Sequence, residues 1–188
     1  MKGVIVHIER CIGCRHCMIA CAIEHSQNKN LFSAITETPK PSPRIFVDVV
    51  KDKITFPNRC RHCSPAPCME ACPANAIYRD EETGSVLLEP ARCINCGMCA
   101  MACPFGVIRY KPLPEFPEKN YVAIKCDNCI ERTKEGKIPA CVEACKTGAL
   151  EYGEINEILR KKHLIAIRQE KIPLNIELWR NLSPSPIK

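Results

Sequence analysis

Cys93-Ile94-Asn95-Cys96-Gly97-Met98-Cys99-Ala100-Met101-Ala102-Cys103-Pro104 spaces its four thiols as C-x2-C-x2-C-x3-C. A [4Fe-4S] cubane presents four iron corners, and a loop with two residues between cysteines wraps three of them. Three further residues of helical turn then carry the fourth thiol away, toward a neighbouring cluster. Cys11, Cys14, Cys17 and Cys21 repeat this spacing. Cys60, Cys63, Cys68 and Cys72 lengthen its second interval, and Cys126, Cys129, Cys141 and Cys145 lengthen it further. Sixteen of the 188 residues are cysteine, which at four thiolates per cubane predicts four [4Fe-4S] clusters. Pro73 after Cys72 and Pro104 after Cys103 turn the chain outward.

Three other uses of cysteine compete with this reading. Disulfide frameworks belong to short secreted chains, and MKGVIVHIER reads as no signal peptide, meeting the first thiol at Cys11. Structural zinc is the stronger rival, because C-x2-C pairs also build closed tetrahedral sites from four cysteine ligands. Zinc knuckles come in pairs, however, and do not need the triplets that occur twice here. Catalytic or redox-sensing thiols account for one or two cysteines and leave the rest unexplained.

Aromatic residues are 5% of the chain and proline occupies 16 positions, which predicts many short turns and a thin apolar core, with the clusters acting as staples. The apoprotein is not expected to fold stably. A formal charge of +6 suggests an anionic partner until the cofactors are counted. Each thiolate-bound oxidised cubane adds about −2, which brings the holoprotein to about −2 and removes the case for nucleic acid. No stretch approaches the roughly 18 apolar residues of a bilayer span, so the expectation is a soluble or peripheral protein. Reduced thiols and oxygen-sensitive clusters point to the cytoplasm of an anaerobe.

The four runs form an internal repeat. Ala71-Cys72-Pro73-Ala74-Asn75-Ala76-Ile77, Ala102-Cys103-Pro104-Phe105-Gly106-Val107-Ile108 and Ala144-Cys145-Lys146-Thr147-Gly148-Ala149-Leu150 each end on an apolar residue read as a shared core position. Ile77–Arg79 and Val86–Leu88 flank a turn at Asp80–Ser85, a hairpin closed by Gly84, as in a two-cluster ferredoxin. The first and fourth runs then need each other. The predicted fold class is α+β: two nested, pseudo-symmetric dicluster ferredoxin-like modules in one compact unit spanning 1–188. The outer module takes residues 1–35 with 114–155, and the inner takes 57–113. Strands are expected over Gly3–Ile8, Arg44–Val50, Lys53–Phe56 and Tyr121–Ile124, with a turn at Asp52. Residues 36–43 read as a proline-rich bend, and Glu131–Pro139 as an inserted charged loop, either a solvated excursion or a partner contact. An amphipathic helix over Glu154–Gln169 carries Ile155, Ile158, Leu159, Leu164 and Ile165. The remainder of 154–188 is a tail bearing Trp179.

Cys60-Arg61-His62-Cys63-Ser64-Pro65-Ala66-Pro67-Cys68, Ala102-Cys103-Pro104-Phe105-Gly106, Lys125-Cys126-Asp127-Asn128-Cys129 and Pro139-Ala140-Cys141-Val142-Glu143-Ala144-Cys145 resemble the four-cluster electron-transfer subunits of the dimethyl sulfoxide reductase iron-sulfur type. The resemblance covers roughly residues 3 to 153. Within that family, Cys21-Ala22-Ile23-Glu24-His25-Ser26 leading to Pro41-Ser42-Pro43-Arg44 is most similar to the ferredoxin-like subunit of CO dehydrogenase. The resemblance implies ligand exchange. One outer cluster is held by Cys11, Cys14, Cys17 and Cys145, the other by Cys21, Cys126, Cys129 and Cys141. One inner cluster is held by Cys60, Cys63, Cys68 and Cys103, the other by Cys72, Cys93, Cys96 and Cys99. Ala22 and Lys146 stand where proline often follows the fourth cysteine, which puts the outer exits in question. The implied role is an electron carrier, not an enzyme, taking electrons from a CO dehydrogenase to a hydrogenase or other acceptor. The alternative is a subunit of a formate dehydrogenase, another molybdopterin oxidoreductase or a hydrogenase. No dinucleotide fingerprint, phosphate loop or acid/base pair is present. Of His7, His16, His25, His62 and His163, the two inside the cysteine runs, His16 and His62, are expected to hydrogen-bond rather than ligate iron.

Overall fold

The computed structural model describes residues 2–50, 54–113, 115, 116, 119 and 121–168. Strands are β1 (Lys2–Val6), β2 (Ile45–Val50), β3 (Ile54–Arg59), β4 (Ile77–Arg79), β5 (Val86–Leu88), β6 (Arg109–Lys111), β7 (Val122–Ile124) and β8 (Leu150–Glu154). They form four two-stranded antiparallel sheets. The β4–β5 hairpin is as expected, with Ile77 opposite Leu88. The most distant pairing, β1 with β8, sets Val6 against Leu150 and brings the start of the chain beside the last cysteine run. β2 and β3 pair from Ile45 opposite Arg59 to Val50 opposite Ile54, so β3 runs past Phe56 to Arg59, the residue before Cys60. The turn expected at Asp52 lies outside the described residues. β6 pairs with β7, with Arg109 opposite Ile124.

The helices are α1 (His16–Glu24), α2 (Leu31–Thr36), α3 (Pro67–Glu70), α4 (Met98–Ala102), α5 (Ile130–Lys134), α6 (Ala140–Glu143) and α7 (Ile155–Arg168). Four of them exist to place cysteines. Cys17 and Cys21 lie within α1, and Cys68, Cys99 and Cys141 lie within α3, α4 and α6 with their fourth cysteines just beyond. In every run the third and fourth thiols are four residues apart, one helical turn. α1 packs on α6 and α3 on α4. Pro67 at the start of α3 has no N–H to leave unsatisfied there.

The Glu131–Pro139 insertion is not a loop throughout, because its first half is α5. Lys29 ties Glu131 to Glu24 at 2.7 and 3.3 Å, and Arg132 bridges Glu24 and Glu143 at 3.0 and 2.5 Å. α7 covers the β1–β8 sheet with fewer residues than expected. Ile158 is buried, and Ile155 packs so closely over Gly3 that a Cβ there would sit 3.0 Å from its Cδ1, whereas Leu159, Leu164 and Ile165 remain exposed. Trp179 and the tail lie outside the described residues. Ile77, Ile108 and Leu150, the three repeat-end positions, are all buried. The core is divided, and cysteines belong to each part of it: Cys17, Cys21 and Cys141 with Ile45 and Leu150, Cys99 with Ile77 and Val86, and Cys60 and Cys126 with Val107.

Candidate metal centres

Every cysteine loop bends through a left-handed residue immediately before its second thiol: Gly13 (φ 71°), His62 (51°), Asn95 (57°) and Asn128 (64°). This turns successive N–H groups inward. The His62 amide donates to Cys60 Sγ at 3.4 Å and the Asn128 amide to Cys126 Sγ at 3.4 Å, equivalent positions in two runs. Amides of Arg44, Ala76 and Ala123 reach Cys21, Cys72 and Cys93 at 3.2, 3.2 and 3.5 Å. The exits repeat as well. Asn75, Gly106 and Gly148, three residues beyond the fourth cysteine, are all left-handed, and each returns its N–H to that cysteine's carbonyl. Lys146 in place of proline therefore leaves the Cys145 exit like the two inner ones. The Cys21 exit differs, because α1 carries on to Glu24.

The thiols converge across runs. Cys60, Cys63, Cys68 and Cys103 line one small pocket, Cys72, Cys93, Cys96 and Cys99 a second, and Cys11, Cys14, Cys17 and Cys145 a third. Cys21, Cys126, Cys129 and Cys141 are all buried and bear electrostatically on one another, and no cysteine is in a disulfide. Each set combines three thiols of one run with the fourth cysteine of another. Burial pushes the Cys17 thiol up to about 11 and those of Cys129 and Cys141 up to about 12. Burial also opposes ionisation of Cys126, but the Arg59 guanidinium overrides it and holds that thiol below its ordinary value.

Two features of the pocket walls fit a sulfur-rich anionic group. His62 Nδ1 accepts from the Val86 N–H at 3.0 Å, which leaves the ring proton on Nε2. Nε2 is buried without a protein partner, and the ring lines the Cys60 cavity. Burial, with Lys125 and Arg59 nearby, takes the His62 pKa down to about 2, so the ring is a neutral donor in want of an acceptor. Arg59 and Lys125 are themselves buried against thiols. His16 is exposed on α1. His25, Asp127 and Cys129 cluster closely enough to suggest a metal ion, but Asp127 is already engaged: it meets Arg44 Nη1 at 2.7 Å and His25 Nε2 at 3.2 Å, and it accepts the Cys129 N–H at 3.0 Å. Arg44, Asp127 and His25 thus form a polar network beside Cys21 and Cys129.

Sequence reasoning found the sixteen thiols but not the polar groups that contact them: Arg59, Lys125, the Arg44–Asp127–His25 network, and Tyr110, whose Oη lies 3.2 Å from Cys99 Sγ. A signal for two of them was present. A basic residue precedes the first cysteine of every run.

Residues 51–155 match a 4Fe-4S dicluster domain. YsaA of Escherichia coli (strain K12) is 36% identical over 91% of this chain and 99% of its own length. The thiosulfate reductase electron transfer subunit PhsB of Salmonella typhi is 36% identical over 82% of this chain and 77% of its own. The B subunit of the anaerobic dimethyl sulfoxide reductase of Escherichia coli (strain K12) is 34% identical, with coverage of 86% and 77%.

Proposed function

Because this protein belongs to the 4Fe-4S dicluster domain family, we propose that it is the electron-relay subunit of an oxidoreductase complex, non-catalytic itself, with all sixteen cysteines ligating iron in four [4Fe-4S] clusters. The observation that carries this reading is the gathering of sixteen thiols into four groups of four, each completed by a cysteine from a second run. The ligand sets proposed, by exchange between runs, are Cys11, Cys14, Cys17 and Cys145; Cys21, Cys126, Cys129 and Cys141; Cys60, Cys63, Cys68 and Cys103; and Cys72, Cys93, Cys96 and Cys99. Each bound cluster supplies one-electron exchange at a potential set by its surroundings. The order of the relay that we propose rests on the chain's own residues. Cys14 and Cys96 are the two exposed cysteines, which supports their groups as the two ends. Arg59 and Lys125 lie between the Cys60 and Cys126 groups, which meet in the middle. The β1–β8 pairing, which joins the first and last cysteine runs, supports the nested arrangement of the two modules.

The partner we propose is the catalytic subunit of a molybdopterin-type reductase, in the cytoplasm or at a membrane surface. The relatives named as reductase subunits support this over a CO dehydrogenase, for which only the Cys21–Ser26 and Pro41–Arg44 segments speak. No helix among the described residues is long and apolar enough to cross a membrane. Anaerobic purification with iron, sulfide and zinc analysis tests the cofactors. About sixteen irons and sixteen sulfides are expected, and about four zincs without sulfide would overturn the reading. Capture of the native complex through a tag on this chain tests the partner. Molybdenum or tungsten in the captured complex supports the assignment; CO-driven bleaching of the clusters with neither metal present replaces it with a CO dehydrogenase.

A further inference from the structure

Arg10, Arg59, Arg92 and Lys125 occupy the same position in the repeat, one residue before the first cysteine of each run. Their surroundings divide them into two classes. Arg10 and Arg92 are exposed. Arg59 and Lys125 are 3% and 4% exposed and are the only buried Lys or Arg residues among the described residues. Their contacts are crossed: Arg59 Nη2 donates to Cys126 Sγ at 3.3 Å, and Lys125 Nζ donates to Cys60 Sγ at 3.7 Å. Each cation thus precedes one thiolate in sequence and hydrogen-bonds to the thiolate that follows the other cation.

Neither has a carboxylate ion-pair partner among the described residues. Arg59 also donates to Val4 O (3.2 Å) and Asn128 Oδ1 (2.9 Å) and keeps its Nε buried without a protein acceptor, and Lys125 also donates to Val86 O and Cys126 O (3.0 Å). Asp127, the nearby acid, is taken by Arg44 and His25. A buried cation with only neutral oxygens around it is costly, and removing its counter-ion costs several kcal/mol, so an anion must compensate it. Here that anion is the thiolate-bound centre on either side. Reduction adds one electron, and therefore one negative charge, to such a centre. A fixed cation at hydrogen-bond distance in a poorly solvated site favours the more negative state. No equivalent buried cation touches the Cys11 or Cys93 groups among the described residues.

We propose that Arg59 and Lys125 are redox-positioning residues that make the two central centres, Cys60/Cys63/Cys68/Cys103 and Cys21/Cys126/Cys129/Cys141, the most positive of the four, a shared resting place for electrons between the two modules. This rests on the ligand sets proposed above.

The test is an anaerobic potentiometric titration followed by electron paramagnetic resonance on fully loaded protein, with dithionite through mediators supplying one electron per cluster. Arg59→Gln and Lys125→Met are each expected to weaken reduction of the most positive centres about tenfold, a downward shift of about 59 mV for a one-electron couple. Arg59→Lys keeps the charge and is expected to keep the potential. Tyr110→Phe removes the hydroxyl beside Cys99 and is expected to shift only one of the two less positive centres. Unmoved upper potentials in Arg59→Gln and Lys125→Met at full iron and sulfide content overturn the proposal. If those variants lose clusters, Tyr110→Phe decides, because a shift in either of the two most positive centres overturns the proposal equally. A native protein that lacks sixteen irons fails the ligand reading instead, and the iron count separates the two failures.

Discussion

Cys145 and Cys21 are the residues on which ligand exchange can be read most directly, since each lies far in sequence from the three thiols it joins. Cys145→Ala is expected to damage the centre of Cys11, Cys14 and Cys17 and to spare that of Cys126, Cys129 and Cys141. Iron content falling by about one cluster, or a [3Fe-4S] signal, with the Cys126 centre unchanged in the spectrum, checks this. The left-handed positions separate strain from collision. Gly106 has open space where a Cβ would stand, so Gly106→Ala carries only the left-handed penalty of about 1 kcal/mol. At Gly13 a Cβ would stand 2.8 Å from Thr55 Cγ2, and Thr55 Oγ1 is already bonded to the Cys11 carbonyl at 3.0 Å. Gly13→Ala is therefore expected to lower the temperature at which cluster absorbance is lost by clearly more than Gly106→Ala. The cysteines were legible in the sequence because ligand spacing is fixed by covalent geometry. The cations beside them were not, because Arg10, Arg59, Arg92 and Lys125 look alike in sequence and differ only in tertiary burial.

Short elements were readable when a turn or a repeat announced them. Ile77–Arg79 and Val86–Leu88 are the expected hairpin, whose turn Asp80 holds by accepting from the Thr83 N–H at 2.9 Å and the Thr83 hydroxyl at 2.7 Å. α5 escaped because five residues give no helical periodicity to detect. Its charged side chains read as a solvated excursion or a partner contact, yet Glu131, through Lys29, and Arg132 fasten α5 to Glu24 of α1, and Arg132 also meets Glu143 of α6. α7 was found, but the sequence pattern overstated its contact face. Ile158→Ala is expected to cost about 2–5 kcal/mol and to loosen the helix from the β1–β8 sheet. Leu164→Lys on the exposed side is expected to leave thermal stability within about 0.5 kcal/mol of the parent. Parallel melts of the two holoproteins check the difference.

At the scale of the molecule, the four two-stranded sheets and the core divided into small clusters among the described residues leave little that stands without its metal. The buried thiols are core residues and ligands at once, so removing iron and sulfide removes packing as well as crosslinks. Chelation under reducing conditions is expected to abolish most of the secondary structure seen by far-ultraviolet circular dichroism, and reconstitution with iron and sulfide is expected to restore it. Retention of a native spectrum by the apoprotein would show that the polypeptide core suffices. The β1–β8 pairing also bears on how the molecule is made. With the ligand sets proposed above, Cys11, Cys14 and Cys17 emerge first from a ribosome but lack their partner until Cys145 has been synthesised, whereas the sets of Cys60 and Cys93 are complete by Cys103. The earliest thiols to appear are thus among the last to be filled, and through most of translation the nascent polypeptide exposes an unfinished site that the assembly machinery must leave empty or shield from oxygen.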